Sequence, residues 1–243
     1  MHDVQTVVRW AHEVGALAFI DAVQYAPHGP IEVQGLDCDL LACSAYKFFG
    51  PHQGILYGKY ALLDRLRAYK VRPAPALPPG KFETGTQNHE GMAGTLAAVN
   101  YLAHIGEQYG SPYAGRFAGL SGRRLHLKTG MTVLREYDHV LSRAILDELE
   151  TVPGLRIHGL TDRNRLHERV PTMSFTWPGK TPVEIATTLG EQGIFVWDGN
   201  YYALSVTERL GLEGHGGMVR IGAVHYNTVQ EIRRLGNVLR AMA

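Results

Sequence analysis

At 243 residues, 45% hydrophobic and 19% charged, the chain holds enough apolar material for a core and room for one large or two smaller domains. Its 24 basic and 23 acidic side chains leave a net charge of +1, which gives no electrostatic ground for nucleic acid or an acidic membrane as partner. The two cysteines, Cys38 and Cys43, make neither a disulfide framework nor a zinc site, and no apolar run approaches a membrane span in length.

The elements alternate between helix and strand patterns. Met1-His2-Asp3 leads into a helix with Val4, Val7, Val8, Ala11 and Val14 at helical spacing. An apolar strand run over 16–20 then closes on Asp21, and a second run over 40–43 leads into Ser44-Ala45-Tyr46-Lys47. Residues 54–58 read as a short strand and 60–67 as a helix. The prolines Pro73, Pro75, Pro78 and Pro79 exclude regular structure and are expected to route the chain toward Thr86, a candidate subunit contact. Helices are predicted over 91–109 and 131–149, the second ended by Pro153-Gly154. Strands over 155–158 and 172–177, a helix over 182–192, strands over 194–197 and 218–224 and a helix over 229–242 complete a small α/β unit. The alternation argues for the α/β class, with no internal repeat or low-complexity segment. The twelve histidines show no paired metal-ligand spacing, and the N-terminus lacks the flank of a signal peptide, so the cytoplasm is the expected compartment.

Three residues carry the chemistry. Polar groups at strand ends of an open α/β sheet point toward the ligand crevice, and Asp21, Gln24 and Lys47 together fit a pyridoxal 5'-phosphate site. Lys47, flanked by Tyr46, Phe48 and Phe49, is the candidate Schiff-base lysine, because apolar neighbours favour an uncharged amine. Asp21 is the candidate carboxylate that keeps the cofactor's ring nitrogen protonated. Gln24, three residues further on, could donate to the ring hydroxyl. Singly, each has an ordinary reading: an aspartate after a buried strand often caps the next helix, and a lone lysine is usually a surface charge. It is the combination, with Ser44 three residues before Lys47, that favours a site.

The runs Asp21-Ala22-Val23-Gln24 and Ser44-Ala45-Tyr46-Lys47-Phe48-Phe49-Gly50-Pro51 resemble the class V aminotransferases, in particular the cysteine-desulfurase-like group. So do Phe82-Glu83-Thr84-Gly85-Thr86-Gln87-Asn88 and the segment from Val219-Arg220-Ile221 to Tyr226-Asn227-Thr228. The resemblance implies a fold type I pyridoxal phosphate enzyme acting on an amino acid as a homodimer. Residues 1–125 would be the C-terminal part of a large domain with a mostly parallel sheet, and 126–243 a linking helix and small C-terminal α/β domain. It also implies that Ser44 binds the cofactor phosphate, that Thr86 reaches the phosphate of the partner subunit, and that Arg220 holds the substrate carboxylate. An arginine fork suits a carboxylate on physical grounds too, the ordinary alternative being a salt-bridged edge-strand arginine.

Two departures bear on the reaction. The residue before the lysine is usually histidine in the family and is Tyr46 here, whose hydroxyl could still contact a phosphate. Where desulfurases carry an R-x-G-x-x-C run whose cysteine takes sulfur, this chain reads Trp197-Asp198-Gly199-Asn200-Tyr201-Tyr202. Tyrosine has no thiolate to form a persulfide. Cys43 reads as buried, and Cys38 lies between Asp37 and Asp39, whose charges would raise its pKa. The family's upstream phosphate-cradling loop has no counterpart in this sequence, so the expectation is of a chain corresponding to the C-terminal portion of a longer protein. The reading is a pyridoxal phosphate enzyme lacking the usual sulfur-accepting cysteine. A non-catalytic dimerising or partner-binding module, and a desulfurase with an external sulfur acceptor, are the alternatives.

Overall fold

The computed structural model describes residues 1–243 and divides into two compact units, His2–Val133 and Leu134–Ala243 with Met1. The division falls inside one long helix, as does the boundary expected at 125/126.

The first unit opens with α1 (Val4–Glu13), whose N-cap Asp3 accepts the Thr6 amide. Strand β1 (Phe19–Asp21), the short helix α2 (Val33–Leu36), β2 (Leu40–Ser44) and β3 (Gly54–Gly58) follow. The strands form a sheet in the order β1-β2-β3, parallel between β1 and β2 and antiparallel between β2 and β3. On one face Leu41 and the flanking Ala18 and Ala22 join Val8 of α1 and Cys38 in a core cluster, with Ile20 and Tyr57 packed against it. Residues alternate across a strand, so Phe19, Asp21, Ala42, Ser44 and Leu56 share the opposite face. That face is open: Phe19 and Leu56 are both more than half exposed.

The α1-covered end is pinned by Asp39. Its buried carboxylate accepts the Ala18 amide at 2.8 Å, contacts His12 Nε2 at 2.8 Å and lies 3.3 Å from Lys59 Nζ, which also pairs with Asp37 at 2.6 Å. Burial alone would push the Asp39 pKa up. The Ala18 amide, His12 and Lys59 outweigh it and bring the value down to about 2.

Beyond α3 (Tyr60–Arg65) the proline segment forms turns and bends only, as its composition requires. Within it, buried Lys81 donates to the Asp64 and Leu66 carbonyls at 2.6 and 2.9 Å, satisfying the exposed end of α3. Helix α4 (His89–Tyr109) starts at Asn88, which caps the Gly91 amide. It crosses α5 (Gly122–Glu150) through two glycines: a Cβ on Gly106 would lie 1.8 Å from the His126 carbonyl, and one on Gly130 2.4 Å from that of Leu102. Helix α5 thus begins well before the predicted residue 131, the close packing of α4 against it accommodating Gly130 within the helix.

The second unit contains the rest of α5, then β4 (Arg156–His158), β5 (Thr172–Thr176), α6 (Pro182–Glu191), β6 (Trp197–Gly199), α7 (Leu204–Arg209), β7 (Met218–Gly222) and α8 (Val229–Ala241). Its sheet runs β4-β5-β7-β6, antiparallel throughout. Met173, Phe175, Val219 and Ile221 point to one face, where Leu141, Ile145, Leu149, Ile185, Leu189, Ile232, Leu235 and Leu239 bury them. Helices α6 and α8 both start in capping boxes, Thr181 with Glu184 and Thr228 with Glu231. The predicted strand over 194–197 lies further along, at Trp197–Gly199, because the apolar residues Ile194 and Val196 pack against the core from the connection after α6.

Candidate active site

Because β1 and β2 are parallel, their C-terminal ends lie together, and there the ligand crevice of an α/β sheet opens. Asp21 is the last residue of β1, in register with Ala42, and Ser44 is the last residue of β2, two positions further on the same face. The Asp21 Oδ1 accepts the Val23 amide at 2.9 Å, so the ordinary role of a cap is present, but in a turn over 22–29 and not at a helix. Gln24 lies exposed in that turn, which the Tyr25 and Ala26 amides close onto the Ala22 carbonyl.

After Ser44 the chain enters a 3-10 helix, Ala45–Phe48, which carries Tyr46 and Lys47. Ser44 occupies its N-cap position in extended conformation yet accepts no capping bond, so its hydroxyl is not spent on the helix end. The turn is tight. Phe49 has φ 73°, the Gly50 amide returns to the Ala45 carbonyl at 2.8 Å, and a Cβ on Gly50 would meet that of Ala45 at 3.0 Å. Lys47 is thereby presented beside the end of β2.

The apolar setting expected for Lys47 is only partly realised. Phe48 is buried beneath the turn, but Tyr46 is about half exposed, stacks on His52 with centroids 5.1 Å apart, and has its ring 5.5 Å from Lys47 Nζ. An aromatic face at that distance attracts an ammonium instead of favouring a neutral amine. Thr86 is exposed, next to Gly85 with φ 76° and two residues before the Asn88 cap of α4.

Arg220 belongs to the second unit. It sits on β7, an interior strand, so the edge-strand reading does not apply. Its register neighbours are Ser174 on β5 and Trp197 on β6, on the face opposite the helices. Its guanidinium carbon lies 4.9 Å from the centre of the Tyr201 ring. The motif around it is largely structural: the Asn227 carboxamide accepts the Val224 amide at 3.0 Å, its carbonyl accepts from Tyr137, and Thr228 caps α8. The alternation that places Ser174 on the face of Arg220 was legible, but the ring beneath the arginine was not.

Both thiols have pKa values raised by burial. For Cys38 burial is the main cause, the flanking aspartates raise the value further as expected, and Lys59 acts in the opposite sense. Tyr202 is fully exposed.

The aminotransferase class-V family matches residues 1–116 and 108–235. The chain belongs to this family. It is 33% identical over 246 residues to a probable cysteine desulfurase of Streptomyces coelicolor, covering 96% of this chain and 51% of that one. It is 30% identical over 241 residues to the aminotransferase-like protein FGM3 of Gibberella zeae, with 97% and 54% covered. Among solved structures, the apo cysteine desulfurase of Thermococcus onnurineus NA1 superposes with a TM-score of 0.79 at 25% identity, over 99% of this chain and 56% of that one. The chain thus spans about half the length of these relatives, and its fold is that of the corresponding part of a cysteine desulfurase. No helix is long and apolar enough to cross a membrane.

Proposed function

We propose that this class-V family member contributes the lysine-bearing half of a pyridoxal phosphate site acting on an amino acid. The observation that carries the reading is the convergence of Asp21, Ser44 and the Lys47 turn at one end of the parallel β1–β2 pair. The donor set fits the group: a carboxylate at a strand end, a hydroxyl not spent on capping, and an amine on a tight turn beside it. When bound, pyridoxal phosphate supplies an aldehyde that captures amines and a ring that accepts an electron pair.

Lys47 is proposed to tether the cofactor through its amine and, once displaced by substrate, to carry the proton at the substrate α-carbon. Asp21 accepts a hydrogen bond from the ring nitrogen and keeps it protonated, while Gln24 donates to the ring hydroxyl. Ser44 and Tyr46 hold the phosphate within the subunit, and Thr86 holds that of a second copy in a homodimer. Arg220 takes the substrate carboxylate through its paired N–H groups.

Transamination, epimerisation and elimination all remain open to such a site. Sulfur transfer through a persulfide on this chain is disfavoured, since Tyr202 stands at the loop position and burial raises both thiols. A desulfurase of this kind would need an external sulfur acceptor. A second reading, a dimerising or partner-binding module, draws support from the exposed Trp10, Val14, Leu17 and Phe19 beside edge strand β1.

The test is visible absorbance of the chain with pyridoxal phosphate, then borohydride reduction and mass mapping, with Lys47→Ala alongside. An absorbance band and an adduct on Lys47, both missing from the variant, are expected. No adduct on Lys47 would overturn the enzyme reading and leave the module.

A further inference from the structure

The turn after β6 brings an aromatic ring to Arg220 in an unusual way. Tyr201 and Tyr202 have φ values of 52° and 64°, two consecutive side-chain-bearing residues in the left-handed region. L-residues rarely adopt this conformation, and it persists only where the surroundings over-determine it. They do so here. The Asn200 Oδ1 accepts the Tyr202 amide at 3.1 Å, and its Nδ2 donates to Glu213 Oε1 at 3.0 Å. The other Glu213 oxygen accepts from the hydroxyl of Thr207, which is fully buried. The outcome is asymmetric: Tyr202 projects wholly into solvent, whereas Tyr201 turns inward with its hydroxyl buried and its ring 4.9 Å from the Arg220 guanidinium carbon.

The position of the ring decides what the arginine can offer. A guanidinium is planar, with all five N–H bonds in its plane and none on its faces. The Tyr201 ring held against the cation restrains the positions that a flexible arginine would otherwise sample. No carboxylate pairs with Arg220 in the protein, so its N–H groups are not spent on an internal ion pair. Burial pushes the Tyr201 phenol well above its ordinary value.

We propose that Tyr201 is a positioning residue, held by the strained Asn200–Glu213–Thr207 clamp so that its ring fixes the Arg220 guanidinium in place for a ligand bearing a carboxylate. The inference rests on the reading of Arg220 as carboxylate anchor.

The test uses the full chain in two measurements. The first needs no cofactor: the arginine side-chain Nε–H NMR spectrum, with Arg220→Lys to assign the resonance. A signal shifted by the aromatic ring is expected in the unaltered chain and in Tyr201→Phe, and it should move to the ordinary arginine position in Tyr201→Leu. The second is the apparent affinity for L-alanine of the chain incubated with pyridoxal phosphate, read from the cofactor's visible absorbance. Tyr201→Leu should weaken it on the order of 3- to 30-fold, the range of a cation–π contact, and Tyr201→Phe should leave it within about twofold of the unaltered chain. An unmoved Arg220 resonance in Tyr201→Leu overturns the proposal. So does unchanged affinity in Tyr201→Leu when Arg220→Lys weakens binding. Unchanged affinity in Arg220→Lys instead overturns the anchor reading itself, and with it the positioning role.

Discussion

The two units use opposite arrangements around their sheets. In the C-terminal unit one face of a four-stranded sheet is buried under α5, α6 and α8 by large side chains such as Phe175, Ile145 and Leu239, and the other face carries Ser174 and Arg220 beside Trp197. In the N-terminal unit the cluster under α1 is made largely of small residues, Ala18, Ala22 and Cys38 with Val8 and Leu41, while Phe19 and Leu56 lie open on the other face. The first arrangement puts its stability in packing. The second relies more on a buried charge, Asp39, and on special backbone contacts at Gly50, Gly106 and Gly130. The difference teaches where each unit is vulnerable: one to lost volume, the other to lost charge.

The strongest way to break this contrast is Phe175→Ala. The side chain is fully buried, so truncation should cost roughly 3–5 kcal/mol, read as a lower midpoint in urea unfolding followed by amide exchange of β5 and β7. A loss below about 1 kcal/mol would show that the cluster is looser than its burial implies.

Next in size is Asp39→Asn, which removes the charge that His12 and Lys59 face while keeping the shape. The expected cost is about 1–3 kcal/mol, as for other buried charged hydrogen bonds. The pH dependence sharpens the point. Asp39 has a folded value lowered to about 2 against an ordinary value of 3.8, so its contribution is complete above about pH 4 and is lost as pH falls toward 2. Unfolding midpoints between pH 5 and 2 should therefore fall more steeply in the unaltered chain than in Asp39→Asn. Parallel slopes would remove Asp39 from the account.

A smaller effect is expected at the caps. Thr228→Ala deletes the acceptor of the Glu231 amide and should cost about 1 kcal/mol, with early amide exchange confined to the first turn of α8. Smallest is Phe19→Ser on the open face, expected within about 0.5 kcal/mol, since the side chain is already 60% exposed. A marked destabilisation there, or one that depends on protein concentration, would mean that the face is covered in solution and that the two units are more alike than described.

How much of this was legible beforehand varied by region. The amphipathic helices near 4–13, 182–191 and 229–241 were readable from apolar period alone, because each buries one stripe on its own unit's core. The capping boxes at Thr181 and Thr228 were equally available, as Thr-x-x-Glu before an apolar run. The start of α5 at Gly122 and the position of β6 were not, because helix–helix contact and strand pairing outweigh local preference at both places. At the candidate site, the strand-end positions of Asp21 and Ser44 followed from the apolar runs before them. The half-exposed Tyr46 beside Lys47 contradicted the apolar neighbourhood that linear adjacency implied, since neighbours in a 3-10 turn point to different sides.

By itself, the sequence determined the class of the chain and the residue types at its strand ends, because hydrophobic period and the chemistry of single side chains are local properties. Only the tertiary structure decided which face those residues share and that β1 and β2 run parallel. It alone decided that Arg220 lies on an interior strand over the Tyr201 ring. These depend on which strands pair and on a turn held against its own conformational preference by Asn200, Glu213 and Thr207. Such long-range terms leave no mark on local periodicity.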